Sequence, residues 1–163
     1  MPPSSSIVWP EKYDPARAPI HVRNEIDIAA PCERAWAWLI RAQLWPSWYD
    51  NSSNVRFLDG TPPDLGEGTR FRWRTFSVGI ESHVREFVPP FRISWAAHGI
   101  GVDAYHAWLL EPTPNGCRVI TEETQYGFVA RLGKLVLPNR MSRGHQRWLE
   151  GLRDHAQRGQ PPE

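Results

Sequence analysis

The sequence predicts an α+β fold in which one antiparallel sheet is covered by a long C-terminal helix. Two observations carry this expectation. Residues 68–127 read as long strands joined by tight turns, with tryptophans and aliphatic residues on one face and mostly charge on the other. Beyond them the apolar period changes from that of a strand to that of a helix, so a sheet with one face to bury is followed by an element able to cover it.

Each element follows from local chemistry. Residues 1–19 contain Pro2, Pro3, Pro10, Pro15 and Pro19 and form an irregular extension, which Ile7, Val8 and Trp9 can dock on the domain. From Ile20 to Ile28, Ile20, Val22, Ile26 and Ile28 alternate with charged or polar neighbours as in a half-buried strand, and Asn24 interrupts the apolar side. Pro31 suits the first turn of a helix whose inward stripe is Trp36, Leu39 and Ile40. Leu44, Trp45, Trp48 and Tyr49 surround Pro46 in a turn or a second short helix, and Val55 to Leu58 supplies the next strand. The loop from Asp59 to Gly68 is rich in proline and glycine and is placed to border a pocket mouth.

The hairpins come next. Phe71 and Trp73 alternate with Arg70, Arg72 and Arg74, and a turn near Ser77 sets Trp73 beside Ser82 and Phe71 beside Val84. The turn at Pro89 and Pro90 aligns Ile93 with Glu86 and Trp95 with Val84, and a turn at residues 98–101 brings His106 near Ile93. The breakers Pro114, Asn115 and Gly116 align Leu110 with Val119, which sets His106 across from Glu123. Leu132, Leu135 and Val136 then form a short helical stripe, Pro138 forces a restart, and Met141, His145, Trp148, Leu149, Leu152 and Ala156 continue at helical spacing. Residues 20–157 therefore form one domain, followed by a disordered tail over 158–163.

Composition narrows the function. A chain of 163 residues with 40% hydrophobic content can bury roughly 70% of its unfolded surface in a single core. A formal charge of +1 lacks the concentrated cationic footprint of a nucleic-acid binder. Cys32 and Cys117 are too few for a disulfide scaffold or a four-cysteine metal site, and reduced thiols are the simplest expectation. Without a secretion signal or an apolar run near ~20 residues, a cytoplasmic protein with no integral membrane segment is expected. The glycines of residues 127–134 are too widely spaced for a phosphate loop, and neither a nucleophile elbow nor a dinucleotide fingerprint occurs. Nothing in the sequence calls for a cofactor or a metal, and a homodimer is left open.

Indexed through the turns, one sheet face carries Phe71, Trp73, Val84, Trp95, Trp108 and Leu110 together with Ser82, Glu86, His106, Thr121 and Glu123. Large apolar walls with sparse polar groups line a pocket as readily as they fill a core. His106 beside Glu123 is the candidate acid–base pair, since a carboxylate can fix the tautomer of a neighbouring imidazole. Such a histidine also serves as an ordinary hydrogen-bonded structural residue. Ser82 and Thr121 are candidates to orient a polar ligand end, the three tryptophans are candidate walls, and Met141, His145 and Leu149 are candidates to reach the cavity from the last helix. Glu86 is a candidate ligand contact or a tie between strand edges.

The order of elements and particular residues resemble the START-like polyketide cyclase and dehydrase superfamily, SRPBCC. The carriers are Ala30-Pro31 followed by Trp36, Trp45-Pro46-Ser47-Trp48, Gly68-Thr69-Arg70-Phe71, Glu86-Phe87-Val88-Pro89-Pro90 with Ile93 and Trp95, and Trp108-Leu109-Leu110-Glu111-Pro112 with Gly116 and Val119. The resemblance implies the helix-grip fold, a curved seven-stranded antiparallel sheet wrapped around the C-terminal helix with two short helices after the first strand. It also implies an apolar cavity between sheet and helix. Three functions follow as expectations: a binder of an aromatic, lipid-like or polyketide-like molecule, a cofactor-independent cyclase, aromatase or dehydratase using His106 and Glu123, and an interaction protein whose cavity its own tryptophans fill.

Overall fold

The computed structural model describes residues 6–163. Pro2 and Pro3 of the N-terminal extension lie outside the described residues. The elements are β1 (Ile20–Ile28), α1 (Cys32–Ile40), α2 (Trp45–Trp48), β2 (Ser53–Phe57), β3 (Arg70–Thr75), β4 (Val78–Val88), β5 (Arg92–Gly99), β6 (Val102–Thr113), β7 (Gly116–Tyr126), α3 (Phe128–Val136) and α4 (Arg140–Arg158). The seven strands form one antiparallel sheet in the order β1-β7-β6-β5-β4-β3-β2, so the first strand pairs with the last of the meander. The chain adopts the α+β helix-grip arrangement, with α4 against the inner face of the sheet.

Register decides which side chains meet. The β6–β7 pairing sets Leu110 opposite Val119 and His106 opposite Glu123. In the first hairpin Phe71 lies opposite Ser82 and Trp73 opposite Ile80, two residues from the expected pairing and therefore on the same face. His106 lies opposite Trp95 rather than Ile93. Between Val84 and Glu86 a bulge shifts the register, so Glu86 pairs with Ser94 and Phe87 with Ile93. That one extra residue moves Glu86 off the inner face and turns Phe87 toward Trp36 of α1, their ring centroids 5.3 Å apart. Glu86 instead binds the outer-face groups Arg92, at 2.8 Å, and Ser94, at 3.3 Å.

Aromatic packing dominates the inner face. Trp148 of α4 is buried among Tyr49, Trp45, Trp73 and Trp108, stacking on Tyr49 at 4.7 Å. Asn24, the polar break in β1, donates to the Ser142 carbonyl and the Gln146 side chain, both at 3.1 Å, and so ties the edge strand to α4. The outer face is also partly covered. Tyr13 stacks on Tyr105 at 5.2 Å, Trp9 packs on the same ring, and the Thr124 hydroxyl donates to the Tyr13 carbonyl at 2.9 Å.

Three features depart from the expectations drawn from sequence. Cys32 at the start of α1 and Cys117 near the start of β7 form a buried disulfide across 85 residues of chain, in place of two reduced thiols. Their proximity is a product of the β1–β7 closure, which puts Cys117 opposite Ile28. Of residues 158–163, expected as a disordered tail, Arg158 ends α4, the Trp38 indole donates to the Gly159 carbonyl at 2.7 Å, and Arg41 binds the Pro162 carbonyl. On α3, Leu132, Leu135 and Val136 face outward at 50%, 80% and 65% exposure, and the helix turns its small residues inward.

The position of α3 is fixed by backbone contact. The Gly101 carbonyl in the β5–β6 turn accepts from the Val129 and Ala130 amides at 3.1 and 3.4 Å. This approach needs glycine at both sides of the contact. Gly101 and Gly127 have φ of +69° and +112°, and a Cβ on Gly127 would stand 2.2 Å from the Gly101 oxygen.

Candidate functional site

A cavity of about 270 Å³ lies between the inner sheet face, α3 and α4. It exists because the inward positions change size along the sheet. Where β4, β5 and β6 run side by side away from α1, Ser82 lies opposite Ala97 and Ala97 opposite Ala104. These small side chains leave space beside the larger Trp73, Ile80 and Trp95, which form the walls. Val129, Ala130 and Gly133 of α3 form the roof with Leu137 and Met141, and Trp148 separates the cavity from the tryptophan core.

One wall is polar and buried. Glu123 of β7 faces His106 of β6 and His145 of α4, with its Oε2 at 3.2 Å from His106 Nδ1 and 3.0 Å from His145 Nε2. The Gln125 amide donates to the other carboxylate oxygen, and His106 Nε2 lies 2.6 Å from the Thr121 hydroxyl. The His106 and His145 rings stack at 4.8 Å. Parity explains the convergence: Thr121, Glu123 and Gln125 alternate along one face of β7, and His106 is the cross-strand partner of Glu123. His145 follows from helix spacing, one turn from Met141 and nearly one turn before Trp148.

Burial drives the His106 imidazole down from 6.5 to about 3, against the attraction of Glu123, so the ring is neutral. Burial alone would raise the Glu123 carboxyl, but the two imidazoles and the Gln125 amide turned toward it reverse that and hold it well below the ordinary carboxylate range. An ionised carboxylate only accepts hydrogen bonds, so His106 carries its proton on Nδ1 and its Nε2 accepts from Thr121. His145 Nδ1 and the indole nitrogens of Trp95 and Trp148 are buried without a hydrogen-bond partner, and all three residues line the cavity.

These ionisation states fix a pH response. As pH falls below about 6.5 the unfolded chain protonates at position 106 before the folded one does, so stability declines toward pH 3. Glu123, whose folded pKa is depressed, adds to the loss as pH falls below its ordinary 4.5. Urea unfolding midpoints measured between pH 7 and pH 4 should fall steadily, and His106→Gln should flatten the upper part of that slope. An unchanged slope in the variant would contradict a neutral buried imidazole.

The family model described as polyketide cyclase / dehydrase and lipid transport matches residues 19–157. The chain belongs to this family. Among solved structures, a hypothetical protein from Helicobacter pylori is 31% identical, with a TM-score of 0.86 over 96% of this chain and 99% of that one. A Thermus thermophilus protein is 19% identical, with a TM-score of 0.72 over 84% of this chain and 97% of that one. The di-domain ARO/CYC StfQ from the steffimycin biosynthetic pathway is 15% identical, with a TM-score of 0.70 over 85% of this chain and 51% of that one. At these lower identities the likeness concerns the fold alone. No curated protein matches the chain.

In this polyketide cyclase/dehydrase family member the residues singled out from sequence separate into groups. Trp73, Trp95, His106, Glu123, Met141 and His145 line the cavity. Phe71, Val84, Leu110 and Leu149 do not; they are buried in the core, on the inner side but away from the space left by the alanines. Trp108 stacks on His106 at 5.3 Å from behind. Ser82 accepts from the Trp73 indole at 3.1 Å and Thr121 bonds His106, so each hydroxyl positions a lining side chain instead of facing the cavity. Glu86 is excluded by the bulge. Missed altogether were Gln125, Phe76 and the α3 residues. The readable signal was the alanine pair at inward parity, Ala97 and Ala104, among positions otherwise occupied by bulky groups.

Arg70 and Arg72, which alternate with the inward Phe71 and Trp73 on β3, pair with Asp59 and Glu81, at 2.7 and 2.9 Å. Among the described residues no helix is long and apolar enough to cross a membrane.

Proposed function

We propose that this protein binds an apolar small molecule, of flat aromatic, lipid-like or polyketide-like shape, in the cavity beneath α3, with an oxygen-bearing end against the His106–Glu123–His145 wall. The observation that carries the reading is the set of unpartnered polar atoms on residues lining a mainly apolar space: His145 Nδ1 and the Trp95 and Trp148 indoles. Buried polar groups without partners cost free energy, and a ligand oxygen placed among them recovers it. Apolar walls supply affinity by releasing water, while a few polar atoms set orientation.

A second reading within the same cavity is acid–base catalysis of cyclisation or dehydration. It is favoured by the His145 ring, which faces the Glu123 carboxylate through Nε2 and has no hydrogen-bond partner at Nδ1. In that reaction His145 Nδ1 takes a proton from carbon beside a ligand carbonyl, and Glu123, which faces both imidazoles, stabilises the imidazolium formed.

Three lining tryptophans make binding visible by quenching of their fluorescence. Titration with oleic acid and with a tricyclic hydroxyanthraquinone should show saturable quenching by at least one. Ala97→Phe, which fills the space opposite Ala104, should weaken it at least tenfold, about 1.4 kcal/mol, with the far-ultraviolet dichroism unchanged. Quenching by neither compound, or equal affinity in the variant, would remove the cavity as the binding site.

A further inference from the structure

We propose that His106, Glu123 and His145 together form a binding site for one divalent transition-metal ion of the zinc or iron(II) class, with an open coordination position toward the cavity. The three residues come from β6, β7 and α4, and each offers one ligand atom within 4.8 Å of the others. The Glu123 oxygen lies 3.2 and 3.0 Å from the two imidazole nitrogens. Ligands of a tetrahedral ion bound at ~2.0–2.1 Å stand about 3.3 Å from one another, which the two carboxylate–imidazole separations already match, while the two imidazole nitrogens, within 4.8 Å of each other, turn about the shared carboxylate to complete the set.

The surroundings are those a metal site needs. A ligating histidine is held by a hydrogen bond to its other ring nitrogen, and His106 Nε2 has that partner in the Thr121 hydroxyl at 2.6 Å. The ligating carboxylate is held in turn by the Gln125 amide. Among the described residues the ion-pair partners of Glu123 are the two histidines, and Lys134 and Arg140, which also line the cavity, make no ion pair with this buried carboxylate. An ion bound there takes the place of the two protons that the imidazoles now present to the carboxylate, each ring remaining neutral by carrying its proton on the far nitrogen, so that His106 Nε2 then donates to Thr121. Two nitrogens and one carboxylate oxygen with vacant positions are the donor set of catalytic zinc and of non-haem iron(II), whereas calcium and magnesium prefer all-oxygen surroundings.

Cobalt(II) is the probe, because its visible absorption distinguishes four- or five-coordinate protein ligation from the hydrated ion. The full, untagged chain, treated with chelator and dialysed, should bind one equivalent of cobalt with intensified visible bands, and zinc should abolish them. Glu123→Gln and His145→Gln should each eliminate the signal. Thr121→Val, which touches no metal ligand atom, should weaken affinity about 10–100-fold. His98→Ala, on the surface, should leave affinity unchanged. A spectrum that remains that of hydrated cobalt at millimolar metal, or full-strength binding in Glu123→Gln, would overturn the proposal. Thr121→Val also decides the matter if the ligand variants fail to fold, since unchanged cobalt affinity there would refute the assigned site. Quenching titrations on the chelator-treated protein separate this result from the cavity reading: uptake of the organic compound without cobalt binding sinks the metal site alone, and cobalt binding without uptake sinks the ligand reading alone.

Discussion

Replacing Trp148 with alanine should lower stability by about 3–5 kcal/mol, the largest loss expected from any single side chain here. Trp148 is 1% exposed and touches the rings of Tyr49, Trp45, Trp73, Trp108 and His106, with centroids between 4.7 and 5.6 Å away. Removing it deletes the stacked face of Tyr49 and leaves a void that surrounding indoles are too rigid to collapse into. The void opens into the existing cavity, because Trp148 is the partition between cavity and core. The variant should therefore be less stable and accept a bulkier ligand. Urea denaturation gives the first quantity and fluorescence titration with a larger polycyclic compound the second. A loss below about 1 kcal/mol would mean that the aromatic cluster is not the centre of the core.

Breaking the Cys32–Cys117 bond should cost on the order of 3–5 kcal/mol, since the bond closes a loop of 85 residues in the unfolded chain. Both cysteines are buried, so Cys32→Ala with Cys117→Ala avoids placing polar hydroxyls in the core. Melting curves with and without reductant should differ for the native chain and coincide for the double variant. Coincident curves for the native chain as well, under conditions where thiol titration confirms reduction, would show that α1 and β7 hold together without the bond. The bond sits where β1 closes the sheet against β7, so its loss should loosen α1 before it loosens the hairpins of β3 to β6.

The fold was legible because its signals are local. Period-two alternation in β1 and β3, the Pro114-Asn115-Gly116 turn and helical spacing from Met141 onward each report on a few neighbouring residues. The His106–Glu123 pairing was readable for the same reason, as the β6–β7 hairpin is regular from Asp103 to Thr113. Glu86 was misplaced because a bulge between Val84 and Glu86 inverts parity without a distinctive residue to announce it. The disulfide and the Trp38–Gly159 bond join segments far apart in sequence, and no spacing rule reaches that far. Within the cavity, tryptophans drew attention where alanines made the space. The outward-facing leucines of α3 concealed that its smaller residues form the roof.

The Gly101–Gly127 contact carries a consequence for the cavity that no lining side chain reveals. Both glycines lie outside the cavity lining, yet they set how close the base of α3 comes to the β5–β6 turn. A methyl group on Gly127 would press on the Gly101 main chain and one on Gly101 on the Val129 side chain, and either would tilt the ceiling, changing the headroom above the alanine floor. The dimensions of the chamber are thus governed from its doorpost, where chain meets chain, as firmly as from the furniture within.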